Sequence, residues 1–263
     1  MGTAVGGKRR RRRKPLPVQL TLDQARKPDG KHGGWRPGAG RPRGRKKVAH
    51  VVRETFTWRE PLHVTWRIAE GVRSLRCAAV LEVVRDRLAK FANGDDFRVV
   101  EFNVLGNHVH LVVEAAGPAA LARGMQGLAV RLARAINKLL GRTGKLFQER
   151  YHARVLRQPL QVRNVLRYVL LNARHHAAER GETLSRYWVD PFSSAPWFDG
   201  WKERIRNDAD WLTRLRRRPR PTAMPRSWLL RVGWRKRGLL AFDEVPGSSH
   251  EAHELPVAGS VPG

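Results

Sequence analysis

The sequence predicts an α+β fold in which helices pack on a mostly antiparallel sheet. Three observations carry this: strict two-residue alternation in "PLHVTWRIA", two apolar stretches flanking a Gly-Asn turn in "FRVVEFNVLGNHVHLVVEA", and three segments with helical spacing set between or after them. The order strand, helix, strand, strand, helix, strand or loop, helix suits a sandwich rather than a parallel sheet.

The first strand spans Pro61 to Ala69, with Leu62, Val64, Trp66 and Ile68 on one face and His63, Thr65 and Arg67 on the other. "LRCAAVLEVVRDRLAKFA" places Ala79, Val83, Leu88 and Phe91 at roughly helical intervals, and Asn93-Gly94 stops it. A hairpin follows around Gly106-Asn107. A second helix begins after Gly117-Pro118 and runs to Gly141, its apolar face built from Leu121, Met125, Leu128, Leu132, Ile136, Leu139 and Leu140. "GRTGKLFQERYHARVL" reads as a loop with a possible strand. "LQVRNVLRYVLLNARHHAAERG" gives the third helix, with Val162, Leu166, Val169, Leu170 and Ala173 as its apolar stripe.

Charge sets the class of partner. The chain has 263 residues, with 52 Lys plus Arg against 23 Asp plus Glu, a net charge of +29 and a pI near 11.7. This excess exceeds what solubility needs and points to a polyanion, nucleic acid first. Residues 1–53 hold 17 of the basic residues and only Asp23 and Asp29 as acids. Four regions are expected: a basic flexible arm at 1–50, a folded domain at 51–200, a basic Trp-containing C-terminal extension at 201–241 and a disordered acidic tail at 242–263. In the arm, "GRPRGR" resembles an AT-hook core, which makes Arg41, Arg43 and Arg45 candidates for minor-groove contact. In the extension, ten Lys or Arg between Arg214 and Arg237 are interleaved with Trp228 and Trp234, a mix suited to phosphate contact and base stacking. Arg235 and Lys236 there, and Arg167 and Arg174 on the third helix, are further candidates for the DNA backbone.

The single cysteine, Cys77, excludes an internal disulfide and a Cys-rich zinc site. No secretory signal or membrane-length apolar run is legible, so the expectation is a soluble protein of the cytoplasm with no membrane partner.

Chemistry concentrates in two places. His108 and His110 alternate on one strand, so both rings lie on the same face while Val109, Leu111 and Val113 point into a core. A His-x-His pair can converge on one metal ion or simply be two polar residues of a sheet. On the third helix Asn164, Tyr168 and Asn172 recur every four residues beside the apolar stripe, presenting a tyrosine and an amide together.

The ordered set "HVTWRIAEGVRSLR", "GNHVHLVVE", "GRTGKLFQERYHARVL", "LRYVLLNARHH", "WVDPFSSAPWF" and "SWLLRVGWRKRGLL" resembles the tyrosine transposases of the HUH superfamily. Within it the set resembles the IS200-like type, and more closely the transposase-like proteins associated with repetitive extragenic palindromes, over roughly residues 51–245. The resemblance implies a ferredoxin-like antiparallel sheet with helices and a bacterial protein near the nucleoid. It implies Tyr168 as nucleophile, His108, His110 and Asn172 as metal ligands, and Mg²⁺ or Mn²⁺ as the ion. An amide is a weak ligand, which fits such a loosely held ion better than structural zinc. The implied activity is cleavage and rejoining of single-stranded DNA near hairpins through a 5′-phosphotyrosine link, by a monomer or a homodimer.

Two rivals stand beside it: a non-catalytic hairpin binder, and a relaxase or replication initiator with the same histidine pair. Relaxases usually place the tyrosine before the histidines, and here it follows. A histidine-triad hydrolase would need a third alternating histidine where Val112 stands. A ribosomal or chromatin-type protein would fit the basic arms, and fits the abundant Trp and the His-x-His hairpin less well.

Overall fold

The computed structural model describes Gly2 and residues 54–205 and 210–247. The chain divides into two units, Met1–Val51 and Val52–Gly263, and everything below concerns the second. The arm expected at 1–50, with Arg41, Arg43 and Arg45, lies outside the described residues apart from Gly2.

Four strands, β1 (Leu62–Arg67), β2 (Phe97–Val104), β3 (His108–Ala115) and β4 (His152–Val155), form one antiparallel sheet in the order β2-β3-β1-β4. Helix α1 (Ala78–Phe91) carries the chain from β1 across to β2, and α2 (Pro118–Leu139) from β3 to β4. Each crossover skips one strand, which produces the ferredoxin-like order. The segment read as a loop with a possible strand supplies edge strand β4.

The sheet is covered on both faces. Under α1 and α2 lie Val64 and Trp66 of β1, Phe102 of β2 and Val109, Leu111 and Val113 of β3, packed against Leu81, Val84 and Leu88 of α1 and Leu121, Met125, Leu128, Leu132 and Ile136 of α2. The stripe expected for α1 is out of phase: Ala79 is exposed and Val83 only half-buried, because Val80, Leu81 and Val84 face the core instead. Leu139, expected in the stripe of α2, is 43% exposed at the helix end.

Helix α3 (Pro159–Glu179) covers the opposite face, resting on Val100 and Val112. A second layer then covers α3 itself. Trp201, Leu229, Leu230, Trp234, Leu240 and Phe242 form one buried cluster with Val162, Val165, Leu166, Val169 and Leu170. The region read as an appended extension is thus a wall of this core. Trp234, expected to stack on bases, is 1% exposed, with its ring close over Gly200 and stacked on Phe198. The tail expected to be unordered from 242 begins with buried Phe242, and Glu244 pairs with Arg163 at 2.8 Å.

Burying both faces of a polar-bearing strand requires partners for its polar groups. Buried Glu114 accepts hydrogen bonds from the backbone N–H groups of Arg226 and Ser227, and buried Arg98 donates to the carbonyl of Met224. A bulge between Val99 and Glu101 breaks the alternation, so Val100 and Glu101 share the face under α3. Its carbonyls accept from Ala223 N–H and Arg220 Nη2, and Arg220 also pairs with Glu101 at 2.5 Å. Burial pushes the Glu101 carboxyl up from its ordinary range, and the Arg220 guanidinium opposes that rise.

Removing one partner of such a pair strands a buried charge. Arg220→Ala is expected to destabilise the domain by about 3–5 kcal/mol in urea unfolding. A loss under about 1 kcal/mol, the ceiling for an exposed pair, would show that the Glu101 pair does not tie the C-terminal wall to the sheet.

Candidate active site

The β1–β3 register sets Thr65 opposite His110 and Arg67 opposite His108, so these side chains share the sheet face under α3. His63, two residues back on the same face, is buried, as is His110. His110 Nδ1 lies 3.1 Å from Thr65 Oγ1 and 3.2 Å from His63 Nε2. If Nδ1 carries the proton and donates to these acceptors, Nε2 keeps its lone pair for a ligand. His108 Nδ1 lies 2.8 Å from Asn107 Oδ1, which fixes its proton on Nδ1 in the same way. The two rings are nearly parallel, at 14°, with centroids 6.3 Å apart.

Tyr168 descends onto this pair from α3. Its ring meets that of His110 edge-on at 5.2 Å and that of His63 at 6.0 Å. Helix α3 is registered on the sheet by Asn103 of β2, whose Nδ2 donates to the Val169 carbonyl at 2.6 Å. One turn beyond Tyr168, Asn172 is fully buried, and among the described residues neither its Nδ2 nor its Oδ1 has a hydrogen-bond partner. An orphaned buried amide is costly unless something outside the chain satisfies it.

Burial lowers the pKa of His110 well below 6.5, and the neighbouring His63, His108 and His176 push it the same way. Burial, Arg67 and His176 lower that of His108. Both imidazoles are therefore neutral at neutral pH, the form that binds a metal. Burial raises the Tyr168 hydroxyl above its usual value of 10.0. The nearby Asn172 amide offsets part of the rise, although it makes no hydrogen bond of good geometry, and the Glu179 charge adds to it.

This geometry brings together His108, His110 and Tyr168 and sets Asn172 one turn on; it does not present every candidate arginine. Arg174 is 7% exposed and donates to the carbonyls of Leu184, Ser185, Arg186 and Trp188, so it clamps the turn after α3 and is not offered to a phosphate. Arg167 is half-buried near Glu244, and Arg235 pairs with Asp199 at 2.8 Å. Lys236 is exposed, its Nζ 5.3 Å over the Trp228 ring. Sequence reasoning missed Thr65 and His63 as supports of His110. Their only signal was two polar residues at alternate positions on β1, facing the side where the histidines would lie.

Residues 57–172, from the turn before β1 to Asn172, match the family described as transposase, IS200-like. Over those residues the chain is similar to the IS200-like transposases. All four residues of the candidate site fall inside the match. No curated protein matches the chain. A solved structure titled "Structure of the REP associates tyrosine transposase bound to a REP hairpin" is similar at 15% identity and a TM-score of 0.42, over 56% of this chain and 82% of that one. No helix among the described residues is long and apolar enough to cross a membrane.

The pKa shift of His110 makes stability depend on pH. Unfolded, its imidazole takes a proton near the ordinary value of 6.5 that folded His110 refuses. Metal-free protein should therefore lose stability as pH falls through 6.5, by up to about 1.4 kcal/mol per pH unit from this residue, and His110→Asn should flatten the slope. Urea unfolding in chelator at several pH values measures it. Equal or rising stability toward acid would contradict a neutral, buried His110.

Proposed function

We propose that the transposase domain cleaves and rejoins single-stranded DNA near hairpins through a covalent tyrosine intermediate, with Tyr168 as the nucleophile. The observation that carries this reading is the convergence of Tyr168 on His110, with buried, unpartnered Asn172 one turn away. A structural tyrosine would leave that amide unexplained.

Two imidazoles with free Nε2 atoms and one amide oxygen fit a divalent cation, and we assign His108, His110 and Asn172 as its ligands. Mg²⁺ or Mn²⁺ held there would supply positive charge to polarise the scissile phosphate. The chain supplies the rest. Tyr168 Oη attacks phosphorus and gives its proton to solvent, the bond from phosphorus to the 3′ oxygen breaks, and that oxygen takes a proton from solvent and leaves as a hydroxyl. Buried among neutral imidazoles, the hydroxyl holds its proton tightly, so attack depends on charge brought by the ligand set rather than on a preformed tyrosinate. A 3′-OH later attacks the phosphotyrosine and restores a phosphodiester, so joining needs no nucleotide cofactor. Exposed Lys236 and the partly exposed Arg167 and Arg235 are assigned to the DNA backbone, and Arg41, Arg43 and Arg45 of the arm to the minor groove. The packing of α3 on the sheet of its own chain supports a reading in which one chain supplies the whole set.

Incubation with labelled single strands from imperfect palindromes flanking the gene, with Mg²⁺ or Mn²⁺, tests the proposal. A covalent adduct should form with wild type and vanish with Tyr168→Phe, while Asn172→Ala should need about 10–100-fold more metal for the same yield. An undiminished adduct from Tyr168→Phe would remove the nucleophile assignment. Hairpin binding with no adduct under either metal would favour the non-catalytic binder.

A further inference from the structure

At the N-terminal end of α3, away from the histidines, the surface holds a groove of about 760 Å³ lined by Trp58, Arg59, Glu60, Arg157, Arg226, Ser227, Trp228 and Leu229. Its size is that of a site for a small ligand. Two features set it apart from an ordinary surface cleft. One is aromatic: Trp228 is 52% exposed, a large apolar ring left in water. The other is charge. Arg59 and Arg226 are exposed, and Arg157 continues the same rim, beside Lys236 whose Nζ sits over the Trp228 ring.

The groove is built rather than incidental. Trp228 lies against Gly233, where a Cβ would stand 2.7 Å from the ring, so a glycine makes room for an indole that remains half exposed. The backbone of Arg226 and Ser227 is anchored to buried Glu114 of β3, which fixes the wall that carries Trp228 to the sheet. The Arg226 guanidinium lies 6.0 Å from the Trp58 ring centroid. The acid of the groove, Glu60, is engaged by the N–H and hydroxyl of Thr57, and Glu54 pairs with Arg157 at the rim. Rings that offer a face, between guanidinium groups that attract phosphate, suit unpaired bases on a single strand.

We propose that this groove is a second DNA-contact site, which takes unpaired bases of single-stranded DNA by stacking on Trp58 and Trp228 with Arg59, Arg157 and Arg226 on the phosphates. The inference rests on the reading of the chain as a single-strand DNA transposase and adds to it a place for the strand flanking the cut. Arg157 precedes Tyr168 by eleven residues. Nine of those residues, from Pro159 on, lie in α3, and at 1.5 Å per residue they span about 14 Å, or roughly four nucleotides at the 3.4 Å spacing of stacked bases. The groove therefore reads bases a few nucleotides from the bond that Tyr168 attacks.

Fluorescence anisotropy with the full chain at one fixed salt concentration tests this. The probes are a labelled hairpin with an oligothymidine tail, the same hairpin with an abasic tail, and the blunt hairpin. Trp58→Ala and Trp228→Ala should each weaken binding of the thymidine-tailed probe by about tenfold, the share of one stacked base. Both should bind the abasic-tailed and blunt probes as wild type does, and Trp228→Phe should restore most of the loss. A thermal midpoint equal to wild type shows that the variants fold; Trp228→Phe, which keeps a ring over Gly233, serves where Trp228→Ala does not. Wild-type affinity of the variants for the thymidine tail, equal loss on the blunt hairpin, or equal wild-type binding of thymidine and abasic tails would each overturn the groove. An adduct assay run in parallel separates the two claims. Adduct formation with no tryptophan dependence of tail binding sinks the groove alone, and tryptophan-dependent tail binding with no adduct sinks the catalytic reading alone.

Discussion

The pairing of β1 with β3 is the constraint on which the rest of the site depends. With Thr65 opposite His110 and Arg67 opposite His108, both imidazoles lie on the α3 side and Val109, Leu111 and Val113 on the other. Strand periodicity makes this choice all or nothing, since a slip of one residue would drive the histidines into the core beneath α1 and α2 and bring the valines out. The hydrophobic residues of β3 thus hold the register, and the histidines take their positions from it. Thr65 and His63 add the final degree of order by holding His110 through its Nδ1.

What α3 does follows from being covered twice. A helix lying on a sheet usually shows its outer face to water, but here the C-terminal layer packs over it through Trp201, Leu229, Leu230 and Trp234. Tyr168 and Asn172 are therefore held in a desolvated slot, which keeps the imidazoles neutral and the tyrosine protonated. Low dielectric also strengthens any interaction that a bound cation makes with its ligands and with a phosphate. The polar cost of covering that face is offset by named pairs, Glu114 with the Arg226 and Ser227 backbone and Glu101 with Arg220, and these same pairs tie the outer layer to the sheet.

Much of this was legible in the sequence, because alternation and turn signals act locally. The strand around His63, the hairpin around Gly106 and the long stripe of α2 follow from spacing alone. What was not legible depends on which neighbour covers a face. The phase of α1 was misread because Ala79 and Val83 are as apolar as the residues that face the core. Arg174 looked like a phosphate contact because a basic residue on a helix gives no sign that a returning turn will present four carbonyls to it. Trp228 and Trp234 look alike in sequence, yet Gly233 lets one ring lie open while Gly200 and Phe198 enclose the other. The four site residues were placed by motif order, and the support given by His63 and Thr65 became visible only in the strand register.

The central claim is that His108, His110 and Asn172 form one ion site beneath Tyr168. Electron spin-echo spectroscopy of Mn²⁺ bound to the full chain tests it most directly, because each imidazole ligand imprints its nitrogen on the ion's signal. The account predicts coupling from two imidazole nitrogens, falling to one with His108→Ala and to one with His110→Ala. A bound ion with no nitrogen coupling, or couplings that both substitutions leave unchanged, would place the metal elsewhere and contradict the account.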